Sequence, residues 1–217
     1  MFYRVVSRFE LVRSGLTLIP LIDRLVYRRD TKLLYMTPED FDKALDAFHN
    51  RPIYRVLTRK ILDSVNDNDL EQTILDNISE LLKESGKDEF LVVQRLSPGQ
   101  RSLYTTWWVE AEVNNGGFNQ FYFNSSGQYS LMAVEGFRLF GATKHMQLME
   151  RANATYLSNV KNLERFNDGT LESFSESYKN NPLNELDDLF YKLEQEENLS
   201  QLRIRYIRSH VEEFIQE

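Results

Sequence analysis

The stretch WWVEAEVNNGGFNQFYFN, residues 107–124, holds both tryptophans of the chain, a double asparagine, a double glycine and four further aromatics. It follows the sequence SPGQ at 97–100, a capping box with serine at the cap and glutamine three residues on. The helix opened there is expected to run to about Val113, with Leu103, Tyr104, Trp107 and Ala111 on one face. Asn114-Asn115-Gly116-Gly117 then reads as the helix end, because glycine adopts left-handed backbone angles without steric penalty and asparagine is next best. Phe118, Phe121, Tyr122 and Phe123 follow at once, so the chain is expected to reverse into an aromatic core.

Working outward, helix signals dominate. Thr37-Pro38 with acids in the first turn starts a helix carrying Phe41, Ala44, Leu45 and Phe48. Arg51-Pro52 breaks it, and a second helix is expected to carry Ile53, Tyr54, Leu57 and Ile61. Another starts near Asn68 and stops at Gly86. Further helices fit residues 128–140, 143–160, 183–196 and 199–215. Residues 2–9 fit a strand or a basic amphipathic helix equally well. The fold class is therefore all-α: a compact multi-helix domain over residues 36–217, preceded by a basic segment, 1–35, of uncertain form.

Of the 217 residues, 41% are hydrophobic and 12% aromatic, the mark of a globular chain. The absence of cysteine excludes disulfides and thiolate chemistry and suits a reducing cytoplasm. The longest early apolar run, residues 16–22, is far short of the roughly 20 residues a membrane span needs. Charge is uneven. Residues 1–60 carry 12 Lys/Arg against 7 Asp/Glu, a balance of +5, and residues 61–217 carry 14 against 26, a balance of −12. The larger part should repel nucleic acid and attract basic protein partners.

Catalytic patterns are sparse. His49, His145 and His210 are widely separated, and neither H-E-x-x-H nor E-x-x-H occurs, so no metal or other cofactor is implied. His145 reads as a partly exposed helix residue. Ser125 and Ser126 lack a surrounding G-x-S-x-G. Glu110 and Glu112, two apart on a helix, point about 200° away from each other. A polar site at the turn, built from Glu110, Glu112, Asn114, Asn115 and Gln120, is the enzymatic or ligand-binding alternative.

Residues 96–104 (LSPGQRSLY), the sequence EAEVNNGGF-x-QF-x-FN at 110–124 and Ser126-Gly127 together resemble the signature of the bacterial DNA-mimic protein family. Leu186-Asp187-Asp188-Leu189-Phe190-Tyr191 and Tyr206-Ile207-Arg208 are similar to its C-terminal pattern. The resemblance covers about residues 65–215; the first 35 residues have no counterpart in it. The shared C-terminal domain is otherwise one of unknown function. The resemblance implies an all-α fold and a non-catalytic interaction protein. One branch of the family sets carboxylates in place of DNA phosphates and so occupies the DNA-reading surface of a transcription regulator. Asn114, Asn115, Gly116, Gly117, Phe118, Gln120 and Asn124 are then the family motif, with a structural role.

Mimicry needs acids at a spacing that matches DNA, one charge per ~3.4 Å along each strand. Residues 185–197 hold six acids over about 20 Å, one per ~3.3 Å at ~1.5 Å per residue. Leu183, Leu186, Leu189, Phe190 and Leu193 share one arc of the helix. Glu185, Asp187, Asp188, Glu194 and Glu196 fall on the open arc and are the candidate partner-binding residues, interrupted by Lys192. Arg203, Arg205 and Arg208 follow closely enough to pair with these acids and cancel them. A third reading uses Arg24, Arg28 and Arg29 to dock an acidic partner or membrane surface. The sequence leaves the partner and the oligomeric state open, a homodimer included.

Overall fold

The computed structural model describes residues 37–86, 88–168 and 170–216; the side chains of Pro38, Asp40, Phe41, Ala44, Leu171 and Glu194 also lie outside the description. Residues 2–9 and the basic Arg24, Arg28 and Arg29 therefore fall outside the described residues. The chain divides into two units, residues 1–51 and 52–217.

In the first unit, α1 (Pro38–His49) carries a Glu39–Lys43 ion pair one turn apart, at 2.8 Å. After the helix, the Arg51 guanidinium lies 3.7 Å over the Phe48 ring and donates to the Phe48 carbonyl.

The second unit is built from α2 (Arg59–Ser64), α3 (Asp67–Ser85), α4 (Glu89–Val93), α5 (Pro98–Phe123), α6 (Ser130–Leu139), α7 (Thr143–Glu164), α8 (Leu171–Glu176), α9 (Asn184–Glu196) and α10 (Leu199–Ser209). Short 3₁₀ turns at Ser125–Tyr129 and Val211–Glu213 complete it, and among the described residues there is no strand. The fold is all-α.

Local rules explain most boundaries. Ser97 Oγ accepts from Gln100 N–H at 3.1 Å and Gln100 Oε1 accepts from Ser97 N–H at 3.4 Å, the capping box in full. Gly86 ends α3 at φ +57° and Gly141 ends the α6 segment at φ +74°. One expected helix forms only in its later part. Residues 52–57 are not helical, and α2 starts only at Arg59, where Thr58 Oγ1 accepts from Ile61 N–H. The reason is tertiary. Asn77 donates to the carbonyls of Tyr54 and Arg55, both at 2.9 Å, and Leu57 exchanges hydrogen bonds with Gln216 through its N–H and its carbonyl. The backbone groups a helix would have used internally are engaged by α3 and the C-terminal residues.

α5 joins two cores. Its first half sets Leu103 and Tyr104 among Leu62, Leu70, Ile74, Ile207 and Phe214. Its second half sets Val109, Val113, Phe118 and Phe121 among Phe137, Leu148, Leu186, Phe190 and Leu199. Each fully buried Leu or Phe stabilises by roughly 1.5–3 kcal/mol. Between the cores lies Arg203, 1% exposed. Its Nη1 meets Glu110 at 2.5 Å, its Nε donates to Thr106 Oγ1 at 3.2 Å, and Glu71 lies 3.9 Å away. This charge knot ties α3, α5 and α10 together.

Candidate functional site

The helix through the signature does not stop at Val113. α5 continues to Phe123 and is broken only at Gly116 (φ −155°, ψ 26°) and Gly117 (φ 73°, ψ 179°). A break of this kind frees backbone groups from the i→i−4 ladder, and in a buried setting they need other partners.

They find them in the segment from α8 to α9. Tyr191 Oη donates to the Val113 carbonyl and Tyr178 Oη to the Gly116 carbonyl, both at 2.9 Å. The Phe118 N–H donates to Asp187 Oδ1 at 2.8 Å. Asn119 Nδ2 donates to Ser177 Oγ and Asn181 Nδ2 donates to Asn119 Oδ1, each at 2.7 Å. A Cβ on Gly117 would lie 2.2 Å from Asp187 Oδ2, and one on Gly116 would lie 2.3 Å from Gln120 Oε1 and 2.8 Å from Tyr178 Oη. Gly117 is thus required by close approach as well as by backbone angle, and Gly116 by close approach. Burial pushes the Tyr178 phenol up to about 12 and the Asp187 carboxyl up to about 6, the latter against the lowering effect of the Phe118 N–H.

The inner side of the break is braced by Glu112, which is 5% exposed. Its carboxylate accepts from Gln120 Nε2 at 2.5 Å, from Asn124 Nδ2 at 2.9 Å and from Ser126 Oγ at 3.2 Å. Gln120 and Asn124 of the motif are therefore bonded to a buried carboxylate, Phe118 is buried, and Asn114 and Asn115 are half-buried. Glu110, the other proposed acid, belongs to the Arg203 knot. An open groove of ≈ 650 Å³ lies elsewhere, lined by Gln94, Arg101, Leu131, Met132, Arg138 and Glu150 among others; none of the turn residues lines it. Among the described residues no group of His, Asp and Glu could hold a metal ion.

His145 is 1% exposed, not partly exposed as its position suggests. Glu197, at the C-cap of α9, accepts from the N–H groups of Lys144 and His145 at 3.1 and 3.0 Å and meets His145 Nδ1 at 2.7 Å. It caps the start of α7 from a distant helix. Burial lowers the His145 pKa below 6.5 despite Glu197. Burial alone would raise Glu197, but the His145 N–H, the His145 ring and the Lys144 N–H together hold it low.

On α9, Glu185 and Asp188 are exposed. Asp187 is not on the open arc: it is half-buried and turned to the signature break, because the freed Phe118 N–H lies there. Glu196 is exposed and ion-paired with Lys144 at 2.6 Å. The Glu194 side chain lies outside the described residues. Two of the three arginines expected to cancel this face are engaged elsewhere. Arg203 is in the buried knot. Arg208 binds Asp67 at 2.7 Å and the carbonyls of Leu62 and Val65, both at 2.6 Å. Lys144 is the cation that reaches α9 instead, from 52 residues away in sequence, and no local pattern announces it. The structural role of Asp187 was equally hidden, although its neighbour Leu186, a core residue, marks that side of the helix as close to the interior.

A family model described as DMP19-like protein matches residues 94–210, more than half of the chain. This span runs from just before α5 to the end of α10 and includes the signature break, the Glu112 brace and α9. No curated protein and no solved structure matches the chain. No described helix is long and apolar enough to cross a membrane.

Proposed function

The chain belongs to the DMP19-like protein family, and from that premise we propose that it is a non-catalytic interaction protein of the cytoplasm, an acidic DNA mimic that occupies the DNA-reading surface of a basic regulator. The family match carries this reading. Charge supports it: residues 52–217 hold 17 Lys/Arg against 26 Asp/Glu, a balance of −9. Glu185 and Asp188 support it too, as exposed carboxylates on neighbouring turns of α9, about 4.5 Å apart along the axis. Phosphates on one DNA strand supply a charge about every 3.4 Å. The polar motif residues Gln120 and Asn124 are bonded to Glu112 inside the fold, which favours a structural motif over a catalytic one.

The test starts with affinity capture of a DNA-binding regulator from the native host, followed by competition with that regulator's own duplex. The expected result is displacement of the duplex by this chain, lost when Glu185→Lys and Asp188→Lys are combined, with the circular dichroism of the variant unchanged. A regulator that binds duplex and this chain at the same time overturns the reading.

A further inference from the structure

The signature break and the acidic face meet at one residue. Glu185 and Asp188 point to solvent, while Asp187, between them, reaches the N–H that begins the resumed half of α5. That N–H stands at a helix N-terminus, where the backbone dipoles favour a negative charge. Tyr178 and Tyr191, from the same stretch of chain, hold the two carbonyls freed on the other side of the break. α9 is therefore fastened to the signature through Asp187 and Tyr191, with Tyr178 of the segment before it as a third bond, and the charged member of the three is Asp187.

We propose that Asp187 is the positioning residue of the acidic face: its carboxylate fixes α9 to the signature break, and a basic partner at Glu185 and Asp188 binds the form of the chain in which that carboxylate is ionised. The partner half of this inference rests on the function proposed above; the anchoring half does not. The motif is then a socket that sets the orientation of α9, which gives it a link to binding without contact with the partner.

The charges around Asp187 are mostly of its own sign. On α9 itself Asp188 raises it, and Lys192, one turn further, is exposed. From the segment before α9 the neighbour is the Tyr178 phenol, which also feels Glu112 of α5. On α7, the other helix against α9, Lys144 and His145 are engaged with Glu196 and Glu197 at the far end. No described cation is paired with Asp187, and burial leaves its pKa at about 6. A cationic partner at Glu185 and Asp188 favours the ionised form, so binding releases a proton and tightens as pH rises.

Two measurements on the full chain test this. In amide NMR between pH 5.0 and 7.5, the Phe118 N–H resonance is expected to titrate with a midpoint near 6 and to be silent in Asp187→Asn. A Phe118 resonance that does not move in the wild-type chain overturns the anchor, and this arm stands even if the variant does not fold. With the captured regulator, affinity is expected to be about fourfold lower at pH 5.5 than at 7.5, the ionised fraction of a group titrating at about 6. That difference should vanish in Asp187→Asn, while titration of the regulator itself remains common to both. The same pH profile in chain and variant overturns the coupling. If no regulator is captured, the function proposed above fails and the Phe118 measurement still decides the anchor.

Discussion

A methyl group at position 117 would sit 2.2 Å from the Asp187 carboxylate, on a backbone at φ 73° and ψ 179° that side chains do not adopt. Gly86 also has positive φ, +57°, but nothing lies within 4 Å of an added Cβ there. The two glycines separate backbone preference from close approach. Gly86→Ala should cost about 1 kcal/mol, the price of the left-handed cap alone. Gly117→Ala should cost roughly 3 kcal/mol or more, since strain and the loss of the Asp187 bond add. Urea unfolding of both variants checks this, and equal costs would mean that Asp187 moves aside freely. At this scale the sequence was legible in part. A glycine pair after a helix announces a backbone irregularity. It does not say whether the helix stops or breaks and resumes, because that depends on Tyr178, Asp187 and Tyr191, more than 60 residues further along the chain.

Among the elements, α9 is tied to α7 where Glu197 meets His145 and to α5 where Asp187 meets the Phe118 N–H, and His145 and Asp187 have opposite pH signatures. His145, at the start of α7, is kept below 6.5 by burial. The unfolded chain binds that proton near 6.5 and the folded chain only at lower pH, so its contribution to stability is present above 6.5 and is lost on acidification. Asp187 is raised from 3.8 to about 6 in the folded chain. Its contribution is present below 3.8 and is lost as pH rises through 6. Between pH 5.0 and 6.5 the two oppose each other. His145→Asn should therefore lose less stability than wild type between pH 7.5 and 5.0, and Asp187→Asn should lose more. Urea midpoints at the two pH values, each variant referred to its own value at pH 7.5, measure this, and a common slope for all three chains would refute it. Capping signals were well legible for elements closed by neighbours, such as Ser97–Gln100 on α5 and Gly86 on α3. They were silent on α7, whose cap is Glu197. Residues 52–57 failed in the same way, drawn out of a helix by Asn77 and Gln216.

At the scale of the whole molecule, composition overstates the acidity available to a partner. Glu71, Glu110, Glu112, Asp187 and Glu197 are engaged with Arg203, with neutral donors or with helix N-termini inside the second unit. The all-α class and the family signature could be read from the chain because periodicity and motif are local. The partner face could not, because its charge depends on which carboxylates the interior takes. Among the described acids of α9, those that remain outside are Glu185, Asp188 and a Glu196 neutralised by Lys144. Under the proposed function that last pair masks the face, and removing the lysine should uncover it. Lys144→Ala leaves the Glu197 cap on the main chain intact and frees one carboxylate. Exposed pairs contribute little, so affinity for the captured regulator should rise only by roughly 1.5- to 5-fold in 50 mM salt. Since the Debye length shrinks from about 10 Å at 0.1 M to 3 Å at 1 M, the gain should fade as salt is raised, and the wild-type complex should weaken over the same range. Titration calorimetry of both chains across that range gives the comparison. An affinity that ignores salt in both chains would mean that the contact is apolar and that α9 is not its face.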